Sequence, residues 1–174
     1  MKKNVKKVQF LSLMIIMAFM LIPFTVNAQG SKSDFSGTWT LNADKSDAPG
    51  QGGGMRMGGG GNFVAKQEAN LLTVDRTRTN QNGEAMTTTS KYTLDGKESV
   101  NTTGRGESKS VATWSADGKS LTIKTAMTFD MGGETRTFNT TEVWSLTDAK
   151  TITVKTTRTT PDGEVTTNSV YDKK

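Results

Sequence analysis

The sequence predicts an all-β protein, an antiparallel up-and-down β-barrel of about eight to ten strands. Three observations carry this. From Gly37 onward, runs rich in Thr, Val and Ile alternate with turn signals such as Asn82-Gly83, Asp95-Gly96, Asp117-Gly118 and Asp162-Gly163. Within the runs apolar residues recur at every second position, which sets them on one face of a strand, and no stretch carries a helical period. The connections are short, so successive strands are antiparallel neighbours. Thr is the commonest residue after residue 28, with 28 copies. It is β-branched and suits a pleated, half-buried surface, so the chain reads as a β-protein with a thin core.

The strands follow in order. Gly37 to Leu41 is the first. Phe63 to Glu68 and Leu71 to Thr79 are separated by Asn70. Asn82-Gly83 accepts the positive φ angles of a type I′ turn and returns the chain along Ala85 to Leu94. A short strand around Val100 ends at Gly104-Arg105-Gly106, and Ser110 to Trp114 leads to Asp117-Gly118. Leu121 to Phe129, Thr135 to Leu146, Ile152 to Thr159 and Val165 to Tyr171 complete a meander. Leu72-Thr73-Val74…Arg78-Thr79…Asn82-Gly83-Glu84 is echoed by Ile152-Thr153-Val154…Arg158-Thr159…Asp162-Gly163-Glu164, either as repeated hairpin chemistry or as a trace of duplication.

Two segments stand apart. Residues 1–28 begin with Lys2, Lys3, Lys6 and Lys7, continue in an apolar run from Phe10 to Ile22 broken by Ser12, and end in Val26-Asn27-Ala28. This is the layout of a secretory signal peptide, expected to be cleaved after Ala28. The run is shorter than the roughly 20 residues that span a bilayer, so the cleaved chain is not expected to span a membrane. The expected mature domain is 29–174, exported to a bacterial periplasm or secreted. The second segment, 47–62, contains eight of the 18 glycines and reads as a flexible loop, placed where it could act as a lid. It is no phosphate-binding loop, since no Gly-Lys-Ser/Thr ends it.

Composition narrows the function. The chain has no Cys and no His, which removes thiol nucleophiles, disulfides and the commonest general base and metal ligand. The formal charge of +5 belongs largely to the leader: after residue 28 there are 18 basic and 17 acidic groups, interspersed. No nucleic-acid partner is expected. No pair of carboxylates is spaced for acid–base work, so no catalytic residue is assigned and the protein is not expected to be an enzyme. Met55, Met57, Met127 and Met131 have thioethers of the kind Cu(I) favours. Two methionines in a flexible loop are more often incidental, and neither a metal nor another cofactor is expected.

Period two also sorts the inward residues by height. Leu72, Val74, Tyr92, Leu94, Leu121, Ile123, Trp144, Leu146, Ile152 and Val154 gather at one end. Arg76, Arg78, Thr88, Thr125, Met127, Arg136, Thr156 and Arg158 gather toward the other. A packed bottom under a polar upper half can enclose one small ligand. Arg76, Arg78, Tyr92, Met127, Arg136 and Arg158 are the candidate ligand-binding residues. Inward arginines suit a carboxylate or phosphate, or else pair with Glu142 or Glu84 or simply reach the barrel mouth.

Phe35-Ser36-Gly37-Thr38-Trp39-Thr40-Leu41-Asn42 resembles the opening strand of the lipocalin and fatty-acid-binding-protein superfamily, with its Gly-x-Trp. Val170-Tyr171-Asp172-Lys173 is similar to the last strand of fatty-acid-binding proteins. Together with Trp114-Ser115-Ala116-Asp117-Gly118-Lys119-Ser120-Leu121, these segments look like those of small secreted lipocalin-like bacterial proteins. The resemblance implies a barrel plugged at one end by Trp39, packed against a late arginine, here Arg158 or Arg136. It departs in two places. Ser169 stands where fatty-acid-binding proteins carry a carboxylate-binding Arg, and the glycine-rich loop replaces their two short helices. The expected function is binding of a small apolar or amphipathic ligand by a monomer. The alternative is a filled, ligand-free barrel with a structural or interaction role in the envelope.

Overall fold

The computed structural model describes residues 31–47, 61–79, 82–103, 106–131, 133–160 and 163–174. The leader and most of the glycine-rich segment, with Met55 and Met57, lie outside the described residues. Those described form one antiparallel sheet of ten strands: β1 (Gly37–Asn42), β2 (Phe63–Gln67), β3 (Leu71–Thr79), β4 (Ala85–Thr93), β5 (Glu98–Thr103), β6 (Gly106–Trp114), β7 (Ser120–Met131), β8 (Glu134–Asp148), β9 (Thr151–Thr160) and β10 (Gly163–Lys173). The order is β4-β3-β2-β1-β10-β9-β8-β7-β6-β5, a nearly closed barrel. The all-β, up-and-down prediction holds, and each expected strand is present. The largest boundary difference is β6, which begins four residues before Ser110, at Gly106, because Ser108 and Ser110 face inward and break the apolar pattern.

Closure comes from the two ends of the chain. β1 pairs with β10 through Trp39 opposite Lys173 and Leu41 opposite Tyr171. A single 3-10 turn, Ala43–Lys45, follows β1, and the Asn42 side chain accepts the Lys45 N–H at 3.1 Å. Ser46 then donates to the Asn42 carbonyl at 2.6 Å and accepts the Val170 N–H at 2.9 Å, fastening the chain to β10 as it leaves β1. At the β3–β4 hairpin Gly83 takes φ +83° but Asn82 does not take a positive φ, so the turn is not the type I′ expected there.

The barrel's remaining edges, β4 and β5, face one another without a backbone ladder. Side chains bridge them. The Asn101 amide accepts the Lys91 N–H at 2.7 Å and donates to the Lys91 carbonyl at 3.0 Å, so it imitates a peptide group. Ser99 Oγ accepts the Thr93 N–H at 2.8 Å. This is why the inward face of β5 is polar while Val100 points outward, 54% exposed. Edge groups that would otherwise be unpaired are satisfied, which blunts the edges as templates for other chains.

The core fills one end. Phe35, Trp39, Phe63, Ala65, Leu72, Val74, Leu121, Ile123, Trp144, Ile152, Val154 and Tyr171 are buried, with Tyr92, Leu94 and Ala112 at the margin. The rings interlock: Phe63 meets Trp144 at 5.2 Å and Tyr171 edge-on at 4.9 Å, and Phe35 stacks on Trp114 at 5.7 Å. The echo between β3 and β9 is matched in burial: Leu72 and Val74 on one strand and Ile152 and Val154 on the other are all fully buried.

Trp39 is fully buried and its indole N–H donates to the Phe35 carbonyl at 2.9 Å. Lys173, opposite Trp39 in the β1–β10 ladder, lies 5.4 Å from the ring centroid, a neighbour set by strand pairing.

Two outcomes test this architecture. Trp39→Ala should destabilise the protein by about 3–5 kcal/mol in chemical denaturation, the cost of an unfilled aromatic site. Asn101→Ala should cost about 1–3 kcal/mol by leaving the Lys91 N–H and carbonyl without their partner. Amide hydrogen exchange should show the loss of protection concentrated at Lys91, with the β7–β8 ladder unchanged.

Candidate functional site

Where the apolar plug ends, the inward face turns polar. Val74 is followed two residues on by Arg76, and Trp144 is preceded by Glu142, so alternation alone carries a cation and an anion to the same depth from β3 and β8. They meet: Arg76 Nη2 donates to Glu142 Oε2 at 2.9 Å, with side chains only 13% and 14% exposed. The same carboxylate oxygen accepts the Trp144 indole N–H at 2.9 Å. The guanidinium lies 5.3 Å from the Phe63 ring centre and 5.5 Å from that of Trp144. Such contacts each contribute about 0.5–2 kcal/mol.

The electrostatics follow from the burial. Desolvation pulls Arg76 toward deprotonation, but the Glu142 charge, aided by Tyr92 and Tyr171, outweighs it and holds the pKa above the ordinary arginine value. Burial lowers the pKa of Arg78, and the neighbouring Arg76 and Arg158 charges lower it further. Tyr92 is raised, by burial first and by Glu142 second. The pair has its charges matched but its hydrogen bonds incomplete. Arg76 Nη1 and Thr156 Oγ1 are buried and have no hydrogen-bond partner within the protein, while the Tyr171 hydroxyl interacts with the Arg76 guanidinium.

Above this level the walls are hydroxylic. Ser90 on β4, Ser108 and Ser110 on β6, Thr125 on β7, Thr140 on β8 and Thr167 on β10 point inward. Some satisfy each other, as Ser110 and Thr125 do at 2.9 Å. The apolar exceptions are half-buried: Met127, and Phe129 stacked on Phe138 at 4.9 Å with planes 6° apart. A separate shallow notch of about 390 Å³ lies at the closed end, lined by Lys32, Leu94, Gly96, Ala112 and Trp114 among others. It is remote from the Arg76 level.

The structure therefore brings together Arg76, Arg78, Tyr92 and Arg158, with Met127 higher on the wall. It leaves Arg136 out: that side chain is 57% exposed at the rim and bonds Glu134 at 3.2 Å. β8 runs past the polar wall, so inward alternation near its start points to the mouth. Sequence reasoning gave Glu142 only as a possible arginine partner and did not single out Thr156 or Tyr171 as site residues. Thr156 was legible, two residues beyond Val154 on the inward face. The convergence of Tyr171 on Arg76 depends on β10 lying beside β1, and no local pattern carries that. Among the described residues no helix is long and apolar enough to cross a membrane, and no cluster of three or more acidic side chains is placed to hold a metal ion.

The ten-stranded barrel, plugged at one end and polar inside at the other, shares its fold with a solved bile acid-binding protein. The comparison is with the crystal structure of zebrafish ileal bile acid-binding protein complexed with cholic acid: TM-score 0.54, 17% identity, 82% of this chain and all (100%) of that one. No family model and no curated protein matches the sequence.

Removing one partner of the central pair tests its role. Glu142→Ala should destabilise the fold by about 3–5 kcal/mol, since it strands a buried guanidinium. The double variant Arg76→Met with Glu142→Leu should recover most of that loss in thermal or urea unfolding.

Proposed function

We propose that this chain is an exported binding protein that holds a small apolar or amphipathic ligand in the upper half of its barrel. One observation carries the reading. Directly above a packed aromatic floor, Arg76 Nη1 and Thr156 Oγ1 are buried without a hydrogen-bond partner. A barrel filled for stability alone gains by pairing or deleting such groups. The fold shared with a protein crystallised with cholic acid supports the same reading. The leader pattern of residues 1–28 supports delivery to the periplasm or beyond, where the chain acts as a monomer and without catalysis.

A second reading has its own observation. Hydroxyls that bond each other, Ser110 with Thr125 and Ser108 with the Asn101 carbonyl at 3.2 Å, are what a hydrated, ligand-free barrel also needs. In that case the protein is a structural or interaction component of the envelope.

Native mass spectrometry of the protein recovered from its own envelope separates the two. The expected result is a chain beginning at Gln29 with a co-purifying small molecule. A chain that is empty, and stays empty when offered amphiphiles, overturns the carrier reading. An uncleaved 1–28 segment in the membrane fraction overturns the export reading.

A further inference from the structure

The turn between β3 and β4 sets a side chain against its own backbone. Asn82 is exposed, and it is the one asparagine in the sequence that is followed by glycine. A bond from the Gly83 backbone nitrogen to the Asn82 side-chain carbonyl carbon would close a five-membered ring. Two things oppose that closure in a folded chain: a side chain on the following residue, which crowds the attacking nitrogen, and a hydrogen bond on that nitrogen. Gly83 has neither. A methyl group built on it would meet nothing within 4 Å, and no hydrogen bond among the described residues engages its N–H. Every other described asparagine precedes a residue that carries a side chain. For Asn62, Asn70, Asn101, Asn139 and Asn168 that next residue also lies in a strand.

From this geometry we infer that Asn82 is a site of spontaneous deamidation, which adds one negative charge to the open end of the barrel. The Gly83 nitrogen loses its proton to solvent and bonds to the Asn82 side-chain carbon. The side-chain nitrogen takes up a proton and leaves as ammonia, giving a cyclic imide. Water then opens the ring at either carbonyl and leaves an aspartyl or an isoaspartyl residue. The balance is one water consumed and one ammonia released, with no other reactant. The aspartyl product turns Asn82-Gly83-Glu84 into Asp-Gly-Glu. The fold already carries that triplet as Asp162-Gly163-Glu164 between β9 and β10, so the hairpin can accept it. The isoaspartyl product adds a methylene to the main chain at an exposed tip, where insertions are best tolerated. The inference stands whether or not the barrel holds a ligand.

The experiment is timed incubation of the purified, folded chain at mildly alkaline pH, followed by ion-exchange chromatography and peptide mapping by mass spectrometry. A more acidic form should accumulate, faster as pH rises, and elute with the Asn82→Asp variant. Asn82 should convert roughly ten-fold faster than any other described asparagine, about 1.4 kcal/mol in barrier. An isoaspartyl linkage at position 82 should mark the cyclic route, and Asn82→Gln should remove the acidic form. A synthetic peptide of residues 79–85, incubated alongside, reports the reaction without the fold. Conversion of the peptide while folded Asn82 stays intact overturns the inference. So does earlier conversion of another described asparagine, or an acidic form that persists in Asn82→Gln.

Discussion

The ion pair of Arg76 with Glu142 divides the molecule. Below it the barrel is an aromatic solid; above it the walls are serine and threonine. A pair this buried is weakly stabilising on balance, because desolvating both charges offsets much of their attraction. Its value is positional. The Trp144 indole N–H and the flanking rings of Phe63 and Trp144 hold the two side chains in one geometry. With that geometry fixed, the upper face of the aromatic floor has a defined polarity.

Much of the architecture is legible from period two and turn chemistry. The β3 and β9 segments read as strands because each alternates apolar and polar residues and each ends near an Asn-Gly or Asp-Gly turn. The sorting of inward residues into an apolar bottom and a polar top follows from the same alternation, and the structure reproduces it. Where alternation fails, it fails for a physical reason. On β5 the buried positions are Ser99 and Asn101 while Val100 is exposed. The inward residues there close a gap in the backbone ladder, a task that needs amide and hydroxyl groups. A hydrophobicity pattern reads such a strand inside out.

The candidate site was less legible than the fold. Arg76, Arg78 and Arg158 could be placed inside, because the strand period fixes direction. Their partners could not, because contacts across a barrel depend on strand order and radius. Arg136 shows the limit: it lies on the inward phase of β8 yet sits beyond the wall, beside Glu134. The Trp39 neighbour Lys173 shows it as well, because that contact comes from the ladder between the first and last strands.

That ladder has a kinetic consequence. The barrel's closing contacts join residues near Gly37 to residues near Lys173, almost the full span of the folded domain. Contacts of such large sequence separation require costly loop closure and form slowly. Until the final strand is present, β1 has only β2 beside it, and Tyr171 is missing from the aromatic floor against Phe63. The domain therefore has no way to complete its core from an unfinished chain. A polypeptide built this way cannot close its barrel until its last residues are available.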